Sequence, residues 1–378
     1  MKIGIIEVDH YELAYSICRV FDFHENEISF FVSEKMYEQL YKGLGNASKK
    51  FKWLVNDKNE SLKDFLNRAR AEIINEKIEL LFLNSIYNNY NLYSALINKT
   101  KTRTVLTVHN VNSWFKPVSD GIQSFLDYRT KRKILKNVSA INVLGDELKD
   151  YLLSVTNIKK PVLNLPYCIY ESRNAEPSDN NLLKFVIPGS IDTRRRDYMP
   201  VLDIFVKIYK DFKDVSLILS GKPVGEYGKK IIEICRNYKK EGNKIIFFEE
   251  FVPQDEFEKY LGTCDMIISP VRKCMFFGKT SEEYGLSKAT GATFDMIKFA
   301  KPGIMPSDFK VPGYLKNSVL TYKNINDLYD IVNMIHNDRN VLKNLKEHAI
   351  SNSLKYSVDN VRNIIQPQIE EIMKIEKW

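Results

Sequence analysis

The chain contains no run of 18 uncharged apolar residues, so no segment is suited to span a bilayer as a helix. It also lacks the basic start, short apolar stretch and small-residue cleavage site of a secretory leader. Its opening, "MKIGIIEVDH", runs directly into a strand-like segment. Residence in the cytoplasm is the expectation. Cysteine is sparse, five in 378 residues (Cys18, Cys168, Cys235, Cys264 and Cys274), with no CxxC pair. That argues against a disulfide framework or a thiolate zinc site and for reduced thiols. Histidine also numbers only five, and no Asp-x-Asp triplet occurs. Neither sign of charge dominates: 56 basic against 48 acidic residues leave a net charge of +8. This mild excess suits an anionic ligand or an acidic membrane surface. Nucleic acid is not an expected partner.

What the chain does have is a series of short, near-continuous apolar runs separated by segments of helical period. "KIGIIEV", "EISFFVS", "ELLFLNS", "RTVLTVHN", "AINVLG" and "PVLNLPYCI" form one series. "LKFVIPGS", "VSLILSG", "NKIIFFEEFV", "DMIISPV" and "KPGIMPS" form a second. Such runs are strands buried on both faces, and helical crossovers between them make parallel sheets. The polar stretch "ESRNAEPSDNN", Glu171–Asn181, divides the two series and reads as a linker. The fold class is therefore α/β, with two doubly wound Rossmann-like domains at roughly 1–170 and 180–350. A terminal helical segment follows over 351–378, packing back on the first domain. Ligands of such sheets sit at the carboxyl ends of the strands, so the expected site is the cleft between domains.

Neither domain carries GxGxxG after its first strand; the first turn is "EVDHYELAY". The second domain instead opens on "VIPGSIDTRRRDY". Gly189 permits close approach of backbone to a ligand, and Arg194, Arg195 and Arg196 precede a helix expected to start near Asp197. Guanidinium groups there fork onto phosphate oxygens. The alternative is a solvated basic turn paired with Asp192. A second cluster lies in "FFGKTSEEYGLSKATGATFDMIKFAKPGIMP", Phe276–Pro306. It reads as a polar, glycine-containing loop between a strand and a helix N-terminus. Its backbone amides and Lys288 suit a diphosphate, and Glu282 or Glu283 suits sugar hydroxyls. The alternative is a mobile surface loop.

Residues 183–306 resemble the donor-binding half of GT-B glycosyltransferases, most of all family 4, the bacterial or archaeal surface-glycan type. Gly189 opens the turn that in this family carries an Arg-Lys pair, and Arg195 and Arg196 fall where that pair stands. Ser190 replaces a common family arginine. "DMIKFAKP" resembles the family helix that ends in Gly-Lys-Pro, with Lys301 and Pro302 matching Lys-Pro. The resemblance implies that Asp295 holds ribose hydroxyls and that Glu282 or Glu283 lies near the donor sugar. The spacing between these acids is longer than the family's. Gly189, Ser190, Arg195, Arg196, Glu282, Lys288, Thr290, Gly291 and Asp295 are the implied donor-binding set. His109, Arg196, Lys288 and Glu283 are the implied catalytic set.

The first domain carries the likeness more weakly. "TVHNVNSW" ends a strand with His109 and Asn110 towards the expected cleft. In family 4 a histidine at such a strand end touches the donor; a satisfied strand-end histidine is the alternative. Asp9 and His10 close the first strand, where inverting relatives keep a general base with an Asp partner. With Asn110 and Trp114 they form the acceptor-side set. Tyr87, Tyr90, Tyr93 and Trp114 are aromatic candidates for stacking on acceptor sugars. The basic run "YRTKRKILKN", Tyr128–Asn137, lies on a helix with Ile134 and Leu135 inward; it faces either solvent or anionic lipid headgroups.

The resemblance implies a hexosyl- or N-acetylhexosaminyltransferase of polysaccharide biosynthesis. It would use a nucleotide-diphosphate sugar, UDP-linked by family habit, with retention and without a metal or other cofactor. The absent Asp-x-Asp fits cationic side chains neutralising the leaving group. The acceptor would be a glycan or a lipid-linked glycan, with peripheral contact at the inner membrane face. A nucleotide-sugar epimerase of the same fold, or a non-catalytic nucleotide-sugar-binding protein, is the alternative.

Overall fold

The computed structural model of the chain describes residues 1–23, 25–117, 121–172 and 182–375. Of the segment read as a linker, residues 173–181 lie outside the described residues, as do 376–378 of the terminal segment.

The first sheet has seven strands: β1 (Lys2–Glu7), β2 (Glu27–Ser33), β3 (Lys52–Asn56), β4 (Leu80–Leu83), β5 (Arg103–Val108), β6 (Ala140–Val143) and β7 (Val162–Leu163). All pairings are parallel, in the order β3-β2-β1-β4-β5-β6-β7. The second half contributes β8 (Leu183–Pro188), β9 (Val215–Ser220), β10 (Ile245–Phe247), β11 (Met266–Ile268), a hairpin of β12 (Cys274–Phe277) and β13 (Thr280–Glu283), then β14 (Gly303–Pro306) and β15 (Val319–Tyr322). Its six-stranded parallel sheet has the order β10-β9-β8-β11-β14-β15.

The central strands are apolar through their middles because helices cover both faces. Ile3, Ile5 and Ile6 of β1 and Phe185, Val186 and Ile187 of β8 are all buried. The chain reverses its winding between β1 and β4 and again between β8 and β11. Those two switch points, at the carboxyl ends of β1 and β8, are where an open parallel sheet leaves room for a ligand. "EVDHYELAY" and "PGSIDTRRRDY" issue from those two strand ends.

The two halves share one apolar layer. Ala14 and Ile17 of the helix Tyr11–Phe21 belong to the same buried cluster as Leu261, Met296 and Ile297 from the second half. Phe294 stacks on Tyr167 with ring centroids 4.8 Å apart. The helix Val358–Lys374 returns to the first half through Val361, Ile365, Ile369 and Ile372, a stripe of helical period. Arg362 ties it down by donating to the carbonyls of Val20 at 2.9 Å and Arg19 at 3.2 Å.

Candidate functional site

In the second half the arginine turn is built from the backbone outward. Gly189 sits at φ 84°, a left-handed conformation, and a Cβ there would meet Arg196 Nη2 at 2.7 Å. Only glycine lets the Arg196 guanidinium lie flat on the strand end. Arg196 donates to Ser190 O at 3.1 Å, and the Tyr198 hydroxyl donates to Gly189 O at 3.2 Å. Arg272 N donates to Arg195 O and Asp197 N to Pro270 O, each at 2.9 Å, so the loops after β8 and β11 are stitched together.

The three arginines then diverge. Arg194 is 66% exposed and pairs with Asp192 at 2.7 Å; Arg195 is 48% exposed and stands 3.8 Å from the same carboxylate. Arg196 is only 8% exposed. The solvated basic turn therefore describes Arg194. Arg195 instead faces the cleft: its charge helps lower the pKa of Lys288 and that of His10.

In the first half, β1 ends in Glu7, whose buried carboxylate accepts from the amides of Val8, Asp9 and His10. Burial raises its pKa to about 7, against the lowering effect of those bonds. The turn presents His10 to the cleft. One ring nitrogen meets the Tyr87 hydroxyl, and the other lies 3.2 Å from the Tyr167 hydroxyl. Tyr167 in turn donates to Glu12 at 3.2 Å. His109 sits beside His10, ring centroids 5.0 Å apart. Burial, then the charges of His10 and Lys288, hold His109 well below the usual imidazole range. Its Nε2 is 3.0 Å from Asn84 O. A carbonyl only accepts, so Nε2 carries the proton and Nδ1 is left as an acceptor.

The halves meet across this floor. Lys288 donates to Asn110 Oδ1 at 2.6 Å, and Val111 N donates to Ser287 O at 3.0 Å. Burial, then the Arg195 charge, lowers the Lys288 pKa to about 8. Glu282, fully buried on the hairpin, accepts from Ser113 N at 2.7 Å and Asn112 N at 3.3 Å. It caps the short helix Val111–Phe115 of the other half.

Deeper in the second half, the helix Gly291–Lys298 starts after Thr290, whose side chain makes no capping bond, and the space around Gly291 is open. Asp295, one turn on, has its pKa raised to about 7 by burial and by Glu12, against Lys298 and Arg196. A cavity of about 470 Å³ adjoins this helix, lined by Tyr11, Glu12, Tyr15, Glu258 and Lys298 among others.

The structure thus gathers His10, His109, Asn110, Arg195, Lys288 and the neighbouring Asp9 into one interdomain cluster, and sets Gly189, Ser190 and Arg196 on the wall next to it. Two expectations are corrected. Trp114 is not a cleft residue: it is buried in the first-half core, edge-on to Tyr90 at 5.8 Å. Glu282 is not available to sugar hydroxyls, because both its oxygens hold amides of the first half. Glu283, the remaining acid of that pair, stands 3.6 Å from Lys273. Tyr90 and Tyr93 are buried with Trp114, leaving Tyr87 as the cleft tyrosine. The segment expected as a polar loop is in part the β12–β13 hairpin, turned at Gly278 with φ 56°.

Glu7, Glu12 and Tyr167 were not identified as site residues from sequence. Glu7 had a readable signal, an acid closing an otherwise apolar buried strand. Glu12 and Tyr167 had none, since their contacts are set by how the helix Tyr11–Phe21 meets the chain near residue 167.

No protein-family model matches the chain, and no curated protein does. Its similarity to solved structures is extensive. A glycosyltransferase from Rickettsia africae superposes with a TM-score of 0.67 at 14% identity, over 99% of each chain. Anabaena HepE, solved in complex with UDP and glucose, gives 0.63 at 12% identity, over 98% of this chain and 100% of its own. The UDP-GlcNAc 2-epimerase from Neisseria meningitidis, bound to UDP-GlcNAc, gives 0.60 at 10% identity, over 98% and 100%. With its two parallel-sheet halves, the chain has the GT-B fold.

Proposed function

We propose that the chain is a glycosyltransferase that takes a sugar from a nucleotide-diphosphate donor, UDP-linked as in HepE, in the cleft between its two halves. The observation that carries this reading is Lys288 from the second half meeting Asn110 of the first at 2.6 Å, beside the paired rings of His10 and His109, with the charge of Arg195 close enough to act on both Lys288 and His10. A departing diphosphate gathers negative charge as the glycosidic bond breaks. Fixed cations in a partly desolvated site stabilise that charge most at the transition state, each such group lowering the barrier by about 2.7–4 kcal/mol. Thr290 and Gly291 add the open amides of a helix start. Asp295 receives ribose hydroxyls, Glu283 the donor sugar, and His109 Nδ1 accepts from a sugar hydroxyl. On the acceptor side, His10 with Tyr87 and Asp9 faces the incoming hydroxyl.

The resemblance to family 4 supports retention, a metal-independent reaction and a role as a hexosyl- or N-acetylhexosaminyltransferase of polysaccharide biosynthesis. The acceptor is a glycan or lipid-linked glycan. Among the described residues no helix is long and apolar enough to cross a membrane. The helix Ile122–Asn137, however, exposes Ile122 (81%), Phe125 (54%) and Leu126 (48%) beside Arg129, Arg132 and Lys133. This supports peripheral contact with an anionic bilayer. The inward lysine of the run, Lys131, is excluded from that role, because it is buried and donates to Ser113 O at 2.9 Å.

The test is a thermal-shift screen with UDP, GDP and their sugars, followed by chromatography of sugar release. Stabilisation by a nucleoside diphosphate, with donor breakdown, is the expected result. A second reading, a nucleotide-sugar epimerase, draws on the two adjacent histidines and on Glu12, whose charge acts on both His10 and Asp295, a supply of proton-transfer groups. Appearance of an epimer from UDP-GlcNAc without any acceptor would favour it.

A further inference from the structure

The first turn of a nucleotide-binding sheet ordinarily offers its row of amides to a phosphate. Here the row is already occupied. A single oxygen of Glu7 accepts from Val8 N at 2.9 Å, Asp9 N at 2.8 Å and His10 N at 3.0 Å. The carboxylate is fully buried at the end of β1, with the Ser85 hydroxyl beside it. The chain therefore places its own carboxyl oxygen where a ligand phosphate would sit, and the external anion is left to the arginine side of the cleft.

Apart from Glu7, the turn is held at Val8 O, which accepts from the Ser33 hydroxyl at 3.1 Å. Val8, Asp9 and His10 include no proline or glycine, and His10 precedes the helix Tyr11–Phe21 without a side-chain capping bond. His10 O receives its helical bond from Ala14 N at a long 3.5 Å. The ring is held at both nitrogens, by Tyr87 and Tyr167, and is flanked by His109. The backbone beneath it is fixed by Glu7. Three backbone amides converge on this one oxygen, each bond fixing one residue of the turn.

We propose that Glu7 is the positioning residue of the site: its carboxylate stands in for a bound phosphate and fixes the turn that aims His10 across the cleft. This rests on the sugar-transfer reading for what His10 does once aimed. Glu7 touches no reacting atom, so its removal should lower turnover and leave donor affinity in place. A side chain misplaced by about 1 Å costs up to about 100-fold in rate.

The experiment compares Glu7→Ala, Glu7→Gln, His10→Ala and the double variant Glu7→Ala/His10→Ala. UDP release from UDP-glucose and UDP-GlcNAc, UDP affinity by calorimetry, and the histidine ring signals by NMR are followed together. Glu7→Ala should lose about 10- to 100-fold in turnover with UDP affinity changed less than about twofold. Glu7→Gln, which keeps an oxygen able to accept the amides, should recover to within about threefold of wild type. The double variant should be no slower than His10→Ala alone. In Glu7→Ala the signal that disappears in His10→Ala should broaden or move. Unchanged turnover with an unmoved His10 signal in a folded Glu7→Ala would overturn the proposal, as would equal loss in Glu7→Gln. If the wild type breaks down neither donor, the sugar-transfer reading falls, and the ring signal alone still decides whether Glu7 aims His10.

Discussion

The ammonium of Lys288 and the amide oxygen of Asn110 meet across the interdomain floor at 2.6 Å. This is the point where a donor phosphate would compete with a contact that joins the halves. Lys288 is held at a pKa of about 8, lowered by burial and then by Arg195. The sign of the pH effect follows. Below about pH 8 the free protein already carries the charge that a diphosphate needs. Above it, binding must take up a proton, and the apparent affinity falls by up to tenfold per pH unit. UDP titrations between pH 7 and 9.5 should show this slope in the wild type and a flat line in Lys288→Gln. A flat wild-type line would remove Lys288 from the phosphate site.

The arginine turn predicts a graded series. Arg196 lies on Gly189 and is nearly buried, so Arg196→Ala should cut donor turnover by about 100- to 1,000-fold. Arg194 is paired with Asp192 in solvent, and Arg194→Ala should stay within about threefold of wild type, as exposed pairs contribute little. Gly189→Ala should resemble Arg196→Ala, because its methyl group would occupy the place of Nη2. Steady-state UDP release on the three variants checks the order.

The central strands were readable because burial on both faces leaves an unbroken apolar run, as in "KIGIIEV" and "LKFVIPGS". The edge strands β3, "KWLVN", and β15, "VLTY", were not, because their residues are half-exposed and carry no such run. The β12–β13 hairpin was hidden for another reason. "CMFF" and "TSEE" bury only one residue each, Met275 and Glu282, too few to make a pattern, and Glu282 and Ser281 tie the hairpin to the helix Val111–Phe115. Within the site, the arginine turn was legible from local chemistry. Which carboxylate is taken up by the other half was not, because Glu282 and Glu283 are neighbours whose fates differ by the alternation of one strand.

Glu282 should act as a fastener between the halves. Glu282→Ala leaves two helix amides without their charged acceptor, a loss of about 1.5–3 kcal/mol where the site stays closed to water. The melting temperature should fall. The radius of gyration of the ligand-free protein by X-ray scattering should rise, since Asn112 and Ser113 are then tied to the hairpin only through Asn112 Nδ2 and Ser281 O. An unchanged radius would mean that the remaining contacts, the shared apolar layer and the Lys288–Asn110 bond among them, are enough to keep the halves together.

The exposed tip of the helix Ile122–Asn137 gives a membrane prediction that is independent of chemistry. The protein should float with vesicles of 70% phosphatidylcholine and 30% phosphatidylglycerol and remain behind with pure phosphatidylcholine. Changing Ile122, Phe125 and Leu126 together to Ser should abolish flotation, while added salt weakens it only through the arginine and lysine share. Vesicle binding by the triple variant equal to wild type would sink the contact.

Asp295 links stability to ligand. Its pKa is raised from 3.8 to about 7, chiefly by burial, so the folded state favours the protonated acid. Stability from this group is complete below the ordinary carboxylate range and is lost as pH rises through about 7. Asp295→Asn removes the ionisation, so its melting temperature should exceed that of wild type at pH 8 and approach it at pH 4.5. If Asp295 holds the ribose as proposed, the same change puts an NH2 donor in place of one of its two acceptor oxygens, so UDP should raise the melting temperature of Asp295→Asn less than that of wild type. A residue that destabilises the free protein and strengthens the complex is the signature of a binding group, because a purely structural side chain has no reason to sit where its charge is disfavoured. If UDP stabilises both proteins equally at pH 8, the elevated pKa reflects packing against Glu12 and not a place in the donor site.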